Sequence, residues 1–401
     1  DTAIKIGDTP TATLVFSEAV TLFSSSADIT IANMDNGTAS GTLSTMSSSD
    51  SITWTGTFTP TENIEDASNT LSLANNSYTD LAGNNGPLET TSNYEVETLA
   101  PSVSSFTISD SLLIIGDTAT VSLVFSEAVT GFSSSADITI ANLDNGSTSG
   151  SLSTMTSSDN ITWSGTFTPA TDTEDATNTL SLATSYTDNA GNSGPSETTS
   201  NYAVETLAPR VSSVAITAAA GIQNNFVNAD DNVSVTVTFS ETVVIDNSSG
   251  SPTLTIIVDS TSRTATYLSG SNSNQLVFQY SIQDGENDSD GISIGSNALA
   301  LNSSTIKDTA GNDATIAHNA VSDNSNYKVD TIPPTVSSTG ITSATGRQNN
   351  FVNAGDVVSV TATFSESVLV ASGSPTFTLA VGSDNRTATY TSGSGSAPLV
   401  F

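Results

Sequence analysis

Carboxylates are the chemically capable side chains that this chain supplies in number. The 401 residues include 41 Asp and Glu against seven Lys and Arg, for a formal net charge of -34, with one histidine and no cysteine. Thiolate zinc sites, disulfides and cysteine nucleophiles are thereby excluded. A single histidine, His318, is a poor basis for an imidazole metal centre or a Ser/His/Asp relay. The chemistry left open is binding of a hard cation by oxygen ligands, for which calcium is the best match. Nucleic acid and anionic membrane surfaces are poor partners, because both require a positive footprint.

The acids recur at fixed places. "FSE" begins at Phe16, Phe125, Phe239 and Phe364, at spacings of 109, 114 and 125 residues. "DLAGN" at Asp80–Asn84 returns as "DNAGN" at Asp188–Asn192 and "DTAGN" at Asp308–Asn312. A third acid, Glu97, Glu205 or Asp330, lies in "YEVETLAPSVSS", "YAVETLAPRVSS" and "YKVDTIPPTVSS", short proline-containing joints that mark domain boundaries. The repeats are therefore expected at 1–99, 100–207, 208–332 and 333–401. The first lacks its opening strand and the fourth stops in mid-domain, so the stretch is expected to be a window on a longer array.

The elements that must position these acids are strands. Hydrophobic residues make up 36% of the chain, too many for a disordered polar chain, and they alternate between Gly, Pro, Asn and Asp clusters. That pattern predicts an all-β fold. In the second repeat, strands are predicted at Val103–Ser109, Ala119–Ser126, Asp137–Asn142, Ser149–Met155, Asn160–Thr168, Thr179–Thr187 and Asn201–Thr206. Seven short antiparallel strands in about 100 residues indicate an immunoglobulin-like sandwich. The chain is thus expected to be a tandem array of seven-stranded sandwiches arranged as an extended rod.

Strand parity then gathers the acids. The loops after the second, fourth and sixth strands share the pole where each repeat receives the preceding joint. "FSE" ends the second strand and "DxAGN" forms the loop after the sixth. In the third repeat Val233, Val235, Val237 and Phe239 share one face of a strand and Glu241 continues it, so the glutamate takes the inward phase. An inward carboxylate needs a partner, and residues 100–207 contain no Lys or Arg.

The predicted calcium sets are Glu97, Glu127 and Asp188; Glu205, Glu241 and Asp308; Asp330 and Glu366; and, in the first repeat, Glu18 and Asp80. Asn84, Asn192 and Asn312 are candidate further oxygen donors, and Asp137 and Asp159 are weaker additions with counterparts Asp28 and Asp50. The structural alternative is that "DxAGN" is a β-turn and that backbone N–H groups satisfy the glutamate. The "GDT" aspartates Asp8 and Asp117, with Asp231 and Asp356, read as turn residues at the opposite pole.

Trp54 and Trp163 read as inward-packing, with a carbohydrate platform as the alternative. Tyr94, Tyr202 and Tyr327 read as packing or hydrogen-bonding near the boundaries, and Arg263 and Arg386 as surface strand residues. The triplets at Asn36, Asn145 and Asn385 match glycosylation acceptors, as chance allows in so Asn-, Ser- and Thr-rich a chain. Paired carboxylates that recur at every joint point to a structural element rather than an active site, so no enzyme is expected. No apolar run reaches the length of a membrane span.

The combination "V.FSE.V", "D.AGN" and "VDT.PP.V.S" resembles the bacterial immunoglobulin-like repeats of giant extracellular adhesins and cell-surface proteins. "VSVTVTFSETV", "GSPTLTI", "RTATY" and "KDTAGN" in the last two repeats resemble repeats of very large surface proteins of aquatic bacteria. That resemblance implies extender modules outside the cell, some stiffened by calcium at the joints, with neighbouring repeats of the same chain as partners. The alternatives are a self-assembling filament or surface layer, in which other copies are partners, and a glycan- or protein-binding module.

Overall fold

The computed structural model describes residues 2–33, 38–142 and 148–401. The triplets at Asn36 and Asn145 lie outside these residues. The chain divides into two compact units, residues 1–208 with 307–313, and residues 209–306 with 314–401.

In the first unit, the second repeat is a two-sheet sandwich built by alternation. Ala119, Val121, Leu123 and Phe125 face inward and are almost wholly buried, while Thr120 faces solvent. The strand Ala119–Phe125 pairs with Val103–Ile108 on one side and Thr162–Pro169 on the other, and Gly150–Leu152 completes that sheet. The facing sheet runs Leu112–Leu113, Tyr202–Glu205, Glu174–Leu182, Ile138–Asn142. Leu123, Phe167, Leu180, Tyr202 and Val204 close the core between the two sheets.

The chain changes sheets just after its first strand. Val103–Ile108 pairs antiparallel in one sheet, and Leu112–Leu113 then pairs parallel with Tyr202–Glu205 in the other. The first repeat makes the same parallel pairing between Ala3–Ile4 and Tyr94–Glu97. This switch carries the following "GDT" turn to the end of each repeat's last strand. There Asp8 accepts the Lys5 N–H and Asp117 the Ile114 N–H, each at 3.1 Å. These are turn residues, as expected, and Asp231 and Asp356 make the same bond to Asn228 and Asn353 at 2.8 and 2.7 Å.

Several local expectations need correction. The sixth strand is Glu174–Leu182, displaced toward the N-terminus from 179–187, because its inward positions are Asp175, Asn178, Leu180 and Leu182 rather than a purely apolar set. One helical turn, Ser134–Asp137, precedes the third strand. Asp137 is buried, and it accepts the Ser133 N–H at 2.6 Å and the Ser185 hydroxyl. Asp28 caps the equivalent turn through Ser24.

In the second unit, the third repeat keeps the parallel pair, Phe226–Val227 with Lys328–Asp330, but rearranges the rest. One sheet runs Val211–Ala220, Asn232–Asp246, Ser273–Ser281, Thr261–Ser269, Thr253–Val258, Leu299–Ala300. The 253–258 and 261–269 strands form a tight hairpin in which Asp259 takes a positive φ of 54°. Its core is Val233, Val235, Val237, Phe239, Leu254, Ile256, Leu276 and Phe278. The fourth repeat has Val336–Thr345, Val357–Val368 and Ser396–Val400 in one sheet and a 376–381/384–389 hairpin.

Leu123 has no exposed surface and sits in the layer between both sheets. Leu123→Ala is expected to destabilise the second repeat by about 3 kcal/mol. Urea unfolding followed by the fluorescence of Trp163, which packs on the same core, measures this. A loss below about 1 kcal/mol would contradict the packing described.

Candidate functional site

The "DxAGN" loop is self-organised before it meets anything else. Asp188 Oδ1 accepts the Gly191 and Asn192 N–H groups at 2.7 and 2.8 Å, and its Oδ2 accepts the Asn192 side-chain amide at 2.8 Å. Asp308 repeats these bonds with Gly311 and Asn312 at 2.6, 2.8 and 2.8 Å. Asp80 takes the Asn84 backbone and side-chain N–H groups at 2.8 and 2.6 Å. Those bonds hold the Asp80 carboxyl below the usual range. The loop glycines Gly83, Gly191 and Gly311 have φ of 87°, 95° and 117°, a left-handed backbone that a side chain would strain.

What the loop presents outward is the asparagine amide. The Asn192 Nδ2 donates to the Glu97 carbonyl oxygen at 3.0 Å, and its Oδ1 accepts the Ile6 N–H at 2.9 Å. Both partners belong to the first repeat, one at the end of its last strand and the other in its "GDT" turn. Asn312 does the same toward the second repeat, donating to the Glu205 carbonyl oxygen at 2.9 Å and accepting the Ile115 N–H at 2.8 Å. Asn192 and Asn312 are each 3% exposed, whereas Asn84, which bonds to Asp80 of its own loop, is exposed. Each bond contributes about 1 kcal/mol, and a buried amide left without partners costs about 1–3 kcal/mol.

The acids of the joint lie close enough for their charges to act on one another. Glu97 is half-buried, and its carboxylate accepts the Leu99 N–H at 2.8 Å. Glu205 and Asp330 make the same turn with Leu207 and Ile332, each at 3.0 Å. The joint acid is thus a turn-former ahead of the proline. Burial is the main cause raising the Glu97 carboxyl, against the Leu99 bond, and the charges of Glu65, Asp188 and Glu127 add to it. Burial, then Asp188 and Glu65, also raise Glu127. Burial raises Glu205 too, and Glu174 and Asp308 contribute after the opposing Leu207 bond.

Glu65 and Glu174 escaped the sequence reading. They pair across the sheet with Glu97 and Glu205, and the repeated "ED" in "IEDAS" and "TEDAT" was their only signal. In the second unit, Glu366 is raised by burial first and then by Asp330, with which it shares a side-chain hydrogen bond.

The "FSE" glutamates keep the inward strand phase in the last two repeats and lose it in the first two. In the first two repeats the strand ends at Val15 or Phe125, and the chain turns outward before the glutamate. Glu18 is exposed and Glu127 half-buried. In the last two repeats the strand continues through Glu241 and Glu366, both half-buried. Among the described residues, no group of three or more His, Cys, Asp or Glu side chains is placed to hold a metal ion. Both oxygens of Asp188 and Asp308 are already occupied by N–H donors.

The remaining candidates serve local structure. Asp50 and Asp159 each accept two backbone N–H groups and a serine hydroxyl in their own loops, which lowers both carboxyls. Trp54 and Trp163 pack edge-on against Phe23 and Phe132. Tyr94 and Tyr202 reach Ser40 and Ser149 inside the core. Arg263 is more than a surface residue: it pairs with Glu286, which is 6% exposed and also accepts the Tyr280 hydroxyl at 2.7 Å. Burial and that acceptor push the Tyr280 phenol up to about 12. Arg386 lies on the surface and pairs with Asp384 at 3.2 Å. His318 has both ring nitrogens engaged, Nε2 by the Ala298 N–H and Nδ1 at the Asn319 carbonyl oxygen, each at 2.8 Å.

Fold and joints together define a class, the tandem immunoglobulin-like module, here with the "DxAGN" loops of the second and third repeats set against the end of the repeat before. The chain belongs to the bacterial Ig-like domain family, whose profile matches residues 1–96 and 97–204. No curated protein matches the chain. Among solved structures it is similar to the Escherichia coli adhesin FdeC, at 13% identity over 82% of this chain and 94% of that one, with a TM-score of 0.29. It is also similar to the N-terminal part of the bacterial S-layer protein SbsC, at 13% identity, 46% and 45% coverage and a TM-score of 0.18. A longer SbsC chain gives 11% identity, 98% and 66% coverage and a TM-score of 0.19. The family assignment rests on the profile match.

The raised carboxyls set a pH dependence. A carboxyl whose pKa is raised at the joint binds its proton more tightly there than in an open or unfolded chain. Acidification through the carboxylate range therefore strengthens the joint, and a rise in pH through that range weakens it. Glu127→Gln is expected to flatten this dependence and to stabilise the joint at neutral pH by no more than about 1 kcal/mol. Thermal melts of the full chain across pH test it. A joint that loosens on acidification would show that the acids attract rather than repel.

Proposed function

We propose that this chain is a structural extender segment of a large bacterial extracellular protein, an adhesin or surface fibre, working outside the cell and not as an enzyme. The observation that carries this is the twofold recurrence of the asparagine bridge, at Asn192 and Asn312, each tying one repeat's loop to two backbone groups of the repeat before. A device repeated at successive joints transmits force and limits bending, and an active site gains nothing from such repetition. Membership of the bacterial Ig-like family supports the same reading.

Each bridge spends one side chain to satisfy an N–H and a C=O on the preceding repeat, so relative rotation of the two breaks both bonds together. Asn192→Ala with Asn312→Ala in the full chain is expected to broaden the distance distribution in small-angle scattering and reduce its maximum dimension. Each substitution should also cost about 1–3 kcal/mol at its own joint. A scattering profile identical to that of the wild type would refute joint-locking.

Calcium at the same joints is the second reading, favoured by the crowding of Glu65, Glu97, Glu127 and Asp188. A divalent cation would relieve that repulsion, and oxygen-only donors select calcium over softer metals. The proposed ligands are Glu97, Glu127 and Asp188; Glu205, Glu241 and Asp308; Asp330 and Glu366; and Glu18 and Asp80. Calcium is expected to raise the melting temperature of the chelator-treated chain, with Glu127→Gln weakening the response. A melting temperature indifferent to calcium and chelator would remove calcium from the account and leave the amide bridge standing.

A further inference from the structure

The two bridges are alike in their asparagines but differ in what lies over the loop glycine. At the first joint, the residue opening the "GDT" turn of the first repeat is Lys5, and its Nζ lies 3.5 Å from the Gly191 carbonyl oxygen. A β-carbon placed on Gly191 would come within 2.9 Å of that ammonium. At the second joint the same turn position is Ile114, and its Cδ1 lies 3.7 Å from where a Gly311 β-carbon would sit. Lys5 and Ile114 thus occupy one equivalent place over equivalent glycines.

The loop residue just before the aspartate changes in step. In the second repeat it is Thr187, and in the third it is Lys307. Lys307 Nζ donates to the Gly311 carbonyl oxygen at 3.0 Å and pairs with Asp313 at 2.7 Å. The glycine carbonyl therefore has one ammonium at each joint. The preceding turn supplies it where the loop carries threonine, and the loop itself supplies it where the preceding turn carries isoleucine.

We propose that this pair of positions is a matching rule that selects which repeat docks on which, a turn opening with lysine fitting a threonine loop and a turn opening with isoleucine fitting a lysine loop. The partner surface each loop accepts is thus the "GDT" turn of another immunoglobulin-like repeat, sorted by charge. Two lysines over one carbonyl place like charges side by side, each desolvated in part by the joint. A joint with neither leaves the carbonyl without its ammonium. The inference rests on the joint reading above, because it presumes that the bridge is formed.

The test is residue-level hydrogen exchange in the full chain, read at the Ile115 amide, which the second bridge protects. Ile114→Lys adds a second lysine beside Lys307 and is expected to speed that exchange roughly two- to fivefold at low salt. Adding Lys307→Thr to Ile114→Lys recreates the first joint's pairing and should return the rate to that of the wild type. The mirror change Thr187→Lys should speed exchange at Ile6, with Lys5→Ile restoring it. If Ile114→Lys leaves Ile115 unchanged, or if the double variant exchanges as fast as the single, the matching rule is wrong. Asn312→Ala separates the two claims: if it does not speed Ile115 exchange, the bridge itself falls, and if it does while Ile114→Lys does not, only the lysine rule falls.

Discussion

The first two joints each depend on one side-chain amide that carries its donor and acceptor side by side. An immunoglobulin-like repeat ends with a strand carbonyl and, because the chain switched sheets early on, a turn N–H beside it. A primary amide satisfies both at once. A carboxylate in its place would turn lone pairs toward the Glu97 or Glu205 carbonyl oxygen, and a serine hydroxyl is too short to reach both groups. The aspartate four residues earlier holds the amide in place by binding its second N–H. Two side chains four positions apart, on a loop shaped by a left-handed glycine, thereby become an adaptor between domains.

Around that adaptor the electrostatics run the other way. Glu97 faces Glu65 across the sheet and shares its surroundings with Glu127 and Asp188, and burial raises the glutamates in the joint. Lys5 at the first joint reaches the Gly191 carbonyl oxygen. The joint is thus held by short-range hydrogen bonds against a longer-range repulsion, which protons or a cation would reduce. This opposition makes the strength of the joint a function of the medium.

Much of this was legible in the sequence. Alternation located the strands Ala119–Phe125 and Tyr202–Glu205 to within a residue or two, and strand parity brought "FSE", "DxAGN" and the joint acid to one pole. What the spacing did not show is the loop's own bonding, in which Asp188 and Asp308 accept N–H groups of Gly191, Asn192, Gly311 and Asn312. Asn192 and Asn312, named only as auxiliary donors, carry the contact. Glu65 and Glu174 stayed hidden because cross-strand register, invisible in one chain's alternation, is what sets them against Glu97 and Glu205. Arg263 looked like a surface residue until the rearranged sheet of the third repeat put Glu286 beside it.

The sequence by itself determined the all-β character, the tandem periodicity and the convergence of the acidic signals, because burial alternation, repeat spacing and strand parity are all one-dimensional properties. Only the tertiary structure decided which atoms meet. Whether a carboxylate near a joint binds an ion, a proton or an N–H depends on distances of a few tenths of an ångström and on the direction of lone pairs. Those are set by where the chain switches sheets, where a strand ends and how a loop glycine turns, none of which is written in the spacing of the residues.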